Sequence, residues 1–225
     1  MTSSRLSAII FDMDGILIDS EPTWQKAEFQ TMRELGLEIS FDDTLQTTGL
    51  RIDQVVSYWY QRFPWDNYDN SEVAGKIVDQ VVSYINKDGI AMAGVISALD
   101  YCRDKKLKIG LATSSSHAIV DAVLNKLDIR HYFNSTQSAE HLAYGKPHPE
   151  VYLNCALELG ISPTECIAVE DSFNGLVAAR AANMQALAIP AKKQRLESKW
   201  IIAHRQLADL TELPDYLDGK IGFRL

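Results

Sequence analysis

Two aspartates, two residues apart, follow directly on an apolar run in this chain. Asp12 and Asp14 come after the run Ser7–Phe11, and Gly15 closes the group. Carboxylates at the end of a buried strand repel each other and are poorly solvated unless a cation lies near them. Mg²⁺ suits such a place, because it prefers oxygen ligands and usually shares them with a phosphate group. The same residues are also compatible with an ordinary Asp-Gly turn that ends a strand.

Hydroxyl side chains follow a second apolar run. Lys108–Ala112 leads into Thr113 and Ser114, and two more serines precede the helical pattern of His117–Leu127. Hydroxyl and backbone N–H groups at the N-terminus of a helix can bind anions. These residues are therefore candidates for an anion site. The alternative is a polar loop in which Ser116 caps the helix.

A lysine and a second acidic pair complete the set of candidate residues. Lys146, which is fixed by a following proline, can reach a phosphate as a point charge. We interpret its neighbour His148 as a helix-entry residue rather than as an acid or base. Glu170 and Asp171 follow the apolar strand Ile167–Val169. They either complete the ligands of a cation or suit the dipole at a helix N-terminus.

Short apolar runs alternate with helical patterns along most of the chain, which favours an α/β fold with a parallel sheet. The predicted strands are Ser7–Phe11, Lys108–Ala112, Ile167–Val169 and Ala186–Ile189, with a weaker one near Tyr132-Phe133. The predicted helices between them are His117–Leu127 and Glu150–Leu159. Ligands of open α/β sheets bind at the carboxyl ends of the strands, so we expect the acidic residues, the hydroxyls and the lysine to converge there.

The region between the first two strands breaks this alternation. Three segments there have helical periodicity, and they are Trp24–Leu35, Asp53–Phe63 and Ser71–Ile85. Roughly seventy residues are too many for a simple crossover connection. We therefore predict a Rossmann-like parallel-sheet core of residues 1–17 and 92–225 with an inserted α-helical cap domain of residues 18–91. The linkers are expected near Ile16–Ser20 and Asp88–Gly94.

Composition limits the partners of the protein. The formal net charge is −8 and the pI about 5.1, which argues against nucleic acid or a membrane surface as the main partner. Three scattered cysteines are too few for a disulfide framework, and we expect them to be buried. The apolar stretch Ala8–Phe11 ends at an aspartate, unlike a signal peptide, and no run is long enough to cross a membrane. We expect a cytoplasmic protein and, without a surplus apolar face, a monomer.

The order and placement of these motifs resemble the haloacid dehalogenase superfamily of phosphohydrolases, in the subgroup with a helical cap after the first motif. A closer resemblance is to bacterial sugar phosphatases that act on 2-deoxyglucose 6-phosphate or hexitol phosphates. The four runs that carry it are FDMDGILIDSEP at Phe11–Pro22, GLRID at Gly49–Asp53, KPHPEVYL at Lys146–Leu153 and EDSFNG at Glu170–Gly175. The resemblance covers nearly the whole chain.

The resemblance implies an Mg²⁺-dependent phosphatase whose substrate is a small phosphorylated sugar or polyol. Asp12 would be the nucleophile that forms an aspartyl-phosphate, and Asp14 would be the general acid and base. Thr113, Ser114 and Lys146 would bind the phosphate group. The implied ligands of the Mg²⁺ are Asp12, Asp14 through its backbone carbonyl, Glu170 and Asp171.

The cap is expected to select the substrate. Candidates for its inner surface are Trp24, Arg51 and the segment Ser20–Pro22. Arg51 would bind a sugar hydroxyl or a phosphate, or else be a surface cation. For Trp24 we prefer a place in the hydrophobic core. The aromatic run Tyr58–Tyr60 is interpreted as packing inside the cap.

The main alternative function is a sugar-phosphate mutase of the beta-phosphoglucomutase type. Such mutases carry a histidine on the first cap helix, whereas Ser20–Lys26 has none and Trp24 occupies the corresponding place. That difference favours hydrolysis. A dehalogenase of the same fold would not need Asp14 or the second acidic pair, and a non-catalytic binding module would not need an intact nucleophile.

Overall fold

The structure, a computed structural model, describes residues 6–221, and its centre is a six-stranded sheet with helices on both faces. The strands are β1 Ala8–Phe11, β2 Lys108–Thr113, β3 Ser135–Ser138, β4 Cys166–Glu170, β5 Gln185–Ala188 and β6 Arg205–Gln206. The helices are α1 Glu21–Glu34, α2 Ile52–Arg62, α3 Asn70–Asp88, α4 Val95–Asp104, α5 His117–Lys126, α6 Glu150–Leu159, α7 Phe173–Ala181 and α8 Leu213–Ile221. The ends of the predicted core, residues 1–5 and 222–225, lie outside the described residues.

The sheet is parallel throughout, with the strand order β3-β2-β1-β4-β5-β6. In the middle strand, Ile10 pairs with Gly110 of β2 on one side and with Ala168 of β4 on the other. This is the strand order of Rossmann-type sheets, in which ligands bind where the order reverses. The reversal falls at β1, so the loops after β1, β2 and β4 open into one crevice. The predicted fold class is confirmed.

Strand β1 is apolar on both faces because helices cover both sides of the sheet. Ile9 and Phe11 belong to one hydrophobic cluster, which also contains the cap residue Ile77. Ala8 and Ile10 belong to a second cluster on the opposite face. Because successive side chains of a strand point to opposite faces, the residues of β1 contribute alternately to the two hydrophobic cores.

One predicted strand is wrong. The residues near Tyr132-Phe133 do not form a strand; a 3-10 helix occupies Arg130–Tyr132, and β3 begins only at Ser135. The sequence of β3 is polar because this strand lies at the edge of the sheet and pairs only with β2. Its buried Ser135 is satisfied by a hydrogen bond from its hydroxyl to Glu158, 2.5 Å away. Hydrophobic periodicity cannot reveal a strand of this kind.

The three cap helices predicted between the first two strands are present as α1, α2 and α3. The linkers before and after them run side by side, since the backbone N–H of Asp19 donates to the carbonyl of Ile90 at 3.0 Å and that of Met92 to the carbonyl of Leu17 at 3.1 Å. The domain boundary at residues 18–91 stays a prediction.

The aromatic run Tyr58–Tyr60 packs inside the cap, as predicted. Trp59 is only 2% exposed, and its indole N–H donates to Glu28 at 2.5 Å. Tyr60 stacks on Tyr68 with ring centroids 3.8 Å apart. None of these aromatic rings lines the large cavity described below.

The structure bears on two expectations from composition, which concern the three cysteines and membrane-spanning segments. Cys102, Cys155 and Cys166 are buried and free, which confirms their predicted packing role. Among the described residues, no helix has the length and apolar character that a membrane span requires.

Candidate active site

The carboxyl ends of β1, β2 and β4 and the cap helix α1 enclose one cavity. Its empty space is about 860 Å³, part of which is open solvent. The predicted site residues that line this cavity are Asp12, Asp14, Thr113, Ser114, Lys146 and Asp171. Glu170 and Arg51 do not line it. The structure therefore brings together residues from four separate sequence motifs.

Asp12 lies on the floor of the cavity, directly after β1, and is 7% exposed. Its backbone N–H donates to the carbonyl of Val169 at 2.9 Å, and its Oδ1 accepts a hydrogen bond from Lys146 at 2.7 Å. Burial and the nearby charge of Glu170 raise the pKa of Asp12 to about 7, against the opposing effect of Lys146. The carboxylate is therefore short of positive charge, even with a lysine in contact.

Lys146 is the buried cation of the site. Its Nζ donates to Asp12, to the carbonyl of Ala112 at 2.8 Å and to Glu170 at 2.6 Å. Burial alone would lower the pKa of this lysine, but the charges of Asp12 and Glu170 raise it above its ordinary value. Lys146 is therefore charged, fixed in position and in contact with the predicted nucleophile.

Glu170 is fully buried beneath the cavity. Its Oε1 accepts hydrogen bonds from Lys146 and from the hydroxyl of Tyr152, both at 2.6 Å, and its Oε2 accepts one from the hydroxyl of Ser172 at 3.1 Å. Both carboxylate oxygens are thus engaged, and their effect is to hold Lys146 in place. The sequence does not single out Tyr152, because its apolar ring follows the same pattern as the other buried residues of α6.

Two glycines give the acidic residues their space. Gly15 has a φ of +72°, and a Cβ atom there would overlap the Asp171 carboxylate. A Cβ atom at Gly175 would overlap the Glu170 carboxylate, which its hydrogen bonds hold in place. The motifs that end in these glycines therefore need them for steric reasons.

Asp14 accepts three hydrogen bonds from two sides of the cavity. Ser20 and Trp24 donate to its Oδ1 at 2.5 and 2.9 Å, and Ser115 donates to its Oδ2 at 2.6 Å. The preferred interpretation of Trp24 as a core residue is incomplete, because its ring packs against the core while its N–H donates to Asp14 in the loop after β1. Ser20 and Ser115 were not predicted as partners of Asp14, although both lie in motifs that carried the resemblance or the anion site.

The loop after β2 presents hydroxyl groups without partners. Ser114 Oγ and Ser116 Oγ are buried atoms to which no described residue is hydrogen-bonded. Ser116 occupies the N-cap position of α5, yet its side chain makes no capping bond. Thr113 Oγ1 accepts from the backbone N–H of Ser115 at 3.0 Å and keeps its own proton to donate. Buried hydroxyls are normally satisfied, so these residues indicate a polar ligand.

The acidic residues of the floor fit a divalent cation. Oxygen atoms of Asp12, Glu170 and Asp171 lie within 4.8 Å of one another. Burial and the charges of Asp12 and Glu170 hold the pKa of Asp171 well above its usual range. Such a group of hard oxygen ligands suits Mg²⁺. Hydrogen bonds engage both oxygens of Glu170. The carboxylates that can bind the cation are therefore those of Asp12 and Asp171.

Arg51 lies outside the cavity, at the contact between α2 and the loop after β3. Its Nε and Nη2 donate to Asp53 at 2.6 and 2.9 Å, and its Nη1 donates to the carbonyls of Ala139 and Leu142 at 3.0 and 2.7 Å. The predicted contact of Arg51 with substrate stays a prediction. His148 is exposed and also outside the cavity, which agrees with a helix-entry role.

The fold and the site together define a capped α/β enzyme whose cavity gathers carboxylates, a lysine and hydroxyl groups. Residues 9–189 match the family described as haloacid dehalogenase-like hydrolase, and the chain belongs to that family. Enzymes of this family generally use Mg²⁺, in agreement with the acidic floor.

Two relatives whose names state an activity are similar to this chain over most of its length. Hexitol phosphatase B of Escherichia coli (strain K12) is 42% identical over 213 residues, which are 94% of this chain and 96% of that protein. Fructose-1-phosphate phosphatase YqaB of the same strain is 31% identical over 186 residues, 81% of this chain and 96% of the relative. The crystal structure of CbbY from Rhodobacter sphaeroides, in complex with phosphate, is 24% identical with a TM-score of 0.82, and covers 92% of this chain and 96% of its own.

Proposed function

We propose that this chain is a phosphoric monoester hydrolase that releases phosphate from small sugar or sugar-alcohol phosphates through an aspartyl-phosphate on Asp12. The observation that carries the proposal is the contact of Asp12 with the buried Lys146, beside serine hydroxyls without partners. The names of the two relatives, a hexitol phosphatase and a fructose-1-phosphate phosphatase, support the substrate class.

The reaction needs two steps at Asp12. In the first, an oxygen of Asp12 bonds to phosphorus, the bond from phosphorus to the sugar oxygen breaks, and Asp14 gives that oxygen a proton. In the second, water attacks the phosphorus of the acyl phosphate, the bond from phosphorus to the Asp12 oxygen breaks, and Asp14 takes up the proton of the water. Phosphate leaves, and both aspartates return to their starting state.

The charge on the phosphoryl oxygens is stabilised by groups that are already in place. Thr113, Ser114, Ser116 and Lys146 line the cavity. The three N–H groups of Lys146 already donate to Asp12, Ala112 and Glu170, so the lysine supplies its charge and the hydroxyls supply the hydrogen bonds. Such preorganised donors supply most of the catalysis in phosphoryl transfer. Mg²⁺, held by the side chains of Asp12 and Asp171 and the backbone carbonyl of Asp14, would add neutralising charge at the phosphate.

The mutase alternative is weaker because of Trp24. Its indole N–H donates to Asp14 at 2.9 Å, in the place where the mutases carry histidine. An indole N–H can only donate, so it cannot exchange a proton with a sugar hydroxyl as an imidazole can. We also propose that the protein acts as a cytoplasmic monomer without a nucleic-acid partner.

The test is a phosphate-release assay with Mg²⁺ on a panel of hexose and hexitol phosphates, with Asp12→Asn beside the wild type. Loss of the nucleophile is expected to lower kcat by at least about a thousandfold. The matched control is Asp42→Asn, the same change at an exposed cap residue. Asp12→Asn with wild-type activity would exclude the covalent mechanism. Isomerisation of glucose 1-phosphate without phosphate release would instead establish the mutase.

A further inference from the structure

The cap side of the cavity carries negative charge and no positive charge. Glu21 and Glu28 of α1 line it, together with neutral residues such as Gln25 and Thr48. Among the described residues that line the cavity, the one lysine or arginine is Lys146, on the opposite side. The two sides therefore differ in kind: the floor is built to hold a phosphate, and the cap side is not.

Glu21 is the cap carboxylate with an oxygen that can accept a hydrogen bond from a ligand. Its Oε1 accepts hydrogen bonds from Thr48 Oγ1 at 2.9 Å and from Gln25 Nε2 at 3.3 Å. No described residue donates to its Oε2. Glu28 Oε1 accepts from Thr47 and Trp59 in the same way, but Glu28 is buried and helps to hold the cap together, whereas Glu21 is half-buried. Thr48 and Gln25 hold Glu21 in place at the cavity through one oxygen only.

Glu21 is also close to the reacting groups. The negative charge of Glu21 contributes to the raised pKa of Asp171, and the charge of Asp14 contributes to that of Glu21, after the larger effect of burial. Glu21 lines the same cavity as Asp14 and Asp171 but on the cap side, so in the proposed function it would meet the part of the substrate that is bonded to the phosphate. In a sugar or polyol phosphate, that part is a row of hydroxyl groups, which are good donors to a carboxylate oxygen.

We propose that Glu21 is a specificity-determining residue that accepts hydrogen bonds from the substrate's hydroxyl groups and excludes ligands that carry a second phosphate. The proposal rests on the proposed function and deepens it, because it limits the substrates to monophosphates of neutral polyhydroxy compounds. A second phosphate would lie against the Glu21 carboxylate, and among the described lining residues no lysine or arginine on the cap side would pair with it. Like charges placed close together oppose binding.

The exclusion is reinforced by the position of Arg51. This arginine is near the cavity in sequence, next to the lining residues Leu50 and Ile52. Its guanidinium is committed to Asp53 and to two backbone carbonyls, so it is not offered to a distal phosphate. The bisphosphate that a mutase must bind during its cycle therefore has no counter-charge on this cap.

The test compares matched substrate pairs: fructose 1-phosphate with fructose 1,6-bisphosphate, and glucose 6-phosphate with glucose 1,6-bisphosphate. p-Nitrophenyl phosphate serves as an ester without hydroxyl groups. Glu21→Gln removes the charge and keeps the length of the side chain. We expect the bisphosphate-to-monophosphate ratio of kcat/KM to rise at least about tenfold, and the ratio of sugar monophosphate to p-nitrophenyl phosphate to fall about tenfold.

A second variant separates charge from reach. Glu21→Asp keeps the charge but shortens the side chain, so exclusion of bisphosphates should persist while the preference for sugar monophosphates over p-nitrophenyl phosphate falls. Glu34→Gln, an exposed carboxylate on the same helix, is the matched control. Thermal melting of every variant excludes misfolding as the cause.

The outcomes separate this inference from the proposed function. If wild type releases phosphate from the monophosphates but folded Glu21→Gln keeps both wild-type ratios, the role of Glu21 is refuted and the phosphatase stands. If wild type releases no phosphate from any ester, the proposed function fails. Calorimetric binding of fructose 1-phosphate and fructose 1,6-bisphosphate to wild type and Glu21→Gln then decides the subsite alone, because an unchanged preference would refute it.

Discussion

At the scale of single residues, the site depends on a buried cation held between two carboxylates. Lys146 is 4% exposed and touches both Asp12 and Glu170. A buried ion pair gains little stability unless further hydrogen bonds satisfy its atoms, and here Tyr152 and Ser172 supply them. The arrangement keeps a positive charge in contact with Asp12, the proposed nucleophile.

Removal of the Tyr152 hydroxyl tests this support. Tyr152→Phe deletes a donor to the fully buried Glu170 carboxylate, so the free energy of unfolding should fall by about 1.5–3 kcal/mol. Urea denaturation gives the value. Tyr101→Phe is the matched control, since it deletes a hydroxyl that bonds to the exposed Asp218, and should cost less than about 1 kcal/mol. Equal losses in the two variants would show that burial does not strengthen the bond to Glu170.

Gly175 tests the steric requirement of the same carboxylate. In Gly175→Ala the new Cβ overlaps the side chain of Glu170, which cannot move without releasing Lys146. We expect a loss of about 1–3 kcal/mol in unfolding free energy together with reduced kcat. Gly75→Ala is the matched control, because Gly75 is exposed within α3 and a Cβ atom there meets nothing within 4 Å. This variant should raise the free energy of unfolding by about 0.5–1 kcal/mol. Destabilisation by both would point to a general intolerance of alanine instead.

At the scale of secondary-structure elements, the apolar pattern of the sequence predicted those strands and helices that bury apolar side chains. Strand β1 was found as a short apolar run because both of its faces are buried, and helices α1, α2 and α3 were found from hydrophobic periodicity because each buries one apolar face. Strands β3 and β6 were missed because they are short, polar and placed towards the edges of the sheet, where register with a neighbour defines them more than their own residues do.

The same limit explains what was missed in the site. The loops after the central strands could be located because their acidic and hydroxyl residues stand out against apolar runs. The hydrogen bonds from Trp24 and Tyr152 could not, since an aromatic residue on an amphipathic helix has the same pattern whether or not its polar atom reaches a catalytic group. Arg51 shows the reverse case, in which a promising cation lies at a cap–core contact.

At the scale of the whole molecule, cap and core are not packed independently. Trp59 and Ile77 of the cap belong to the same hydrophobic cluster as Phe11 of β1. Helix α3 of the cap also meets α5 of the core, where Lys126 donates to the carbonyls of Asn86 and Lys87 at 2.8 and 3.0 Å. Stability of the cap is therefore part of the stability of the whole chain.

Glu28 makes that stability depend on pH. Burial raises the pKa of Glu28 from 4.5 to about 7 in the folded protein, against the opposing hydrogen bonds of Thr47 and Trp59. Between these two values the unfolded chain releases the proton and the folded chain keeps it, so the free energy of unfolding falls as pH rises. By pH 8 the loss should approach about 3 kcal/mol.

Glu28→Gln should remove this dependence, because the amide cannot ionise and its oxygen can still accept from Trp59. Urea denaturation at pH 5 and pH 8 should show the variant gaining on the wild type as pH rises, by about 1–3 kcal/mol. The control is Glu38→Gln, at an exposed cap position, with no change in the difference between the two pH values. A Glu28→Gln variant that loses as much stability from pH 5 to pH 8 as wild type would contradict the assignment.

The hydrogen bond from Trp24 to Asp14 has a consequence for the order of events in one turnover. Trp24 belongs to the first cap helix, and Asp14 belongs to the loop that carries the nucleophile. A movement of α1 away from the sheet that separated these two side chains would break this bond. The indole of Trp24 is therefore a built-in reporter of whether the cap lies over Asp14, and its fluorescence would register the separation.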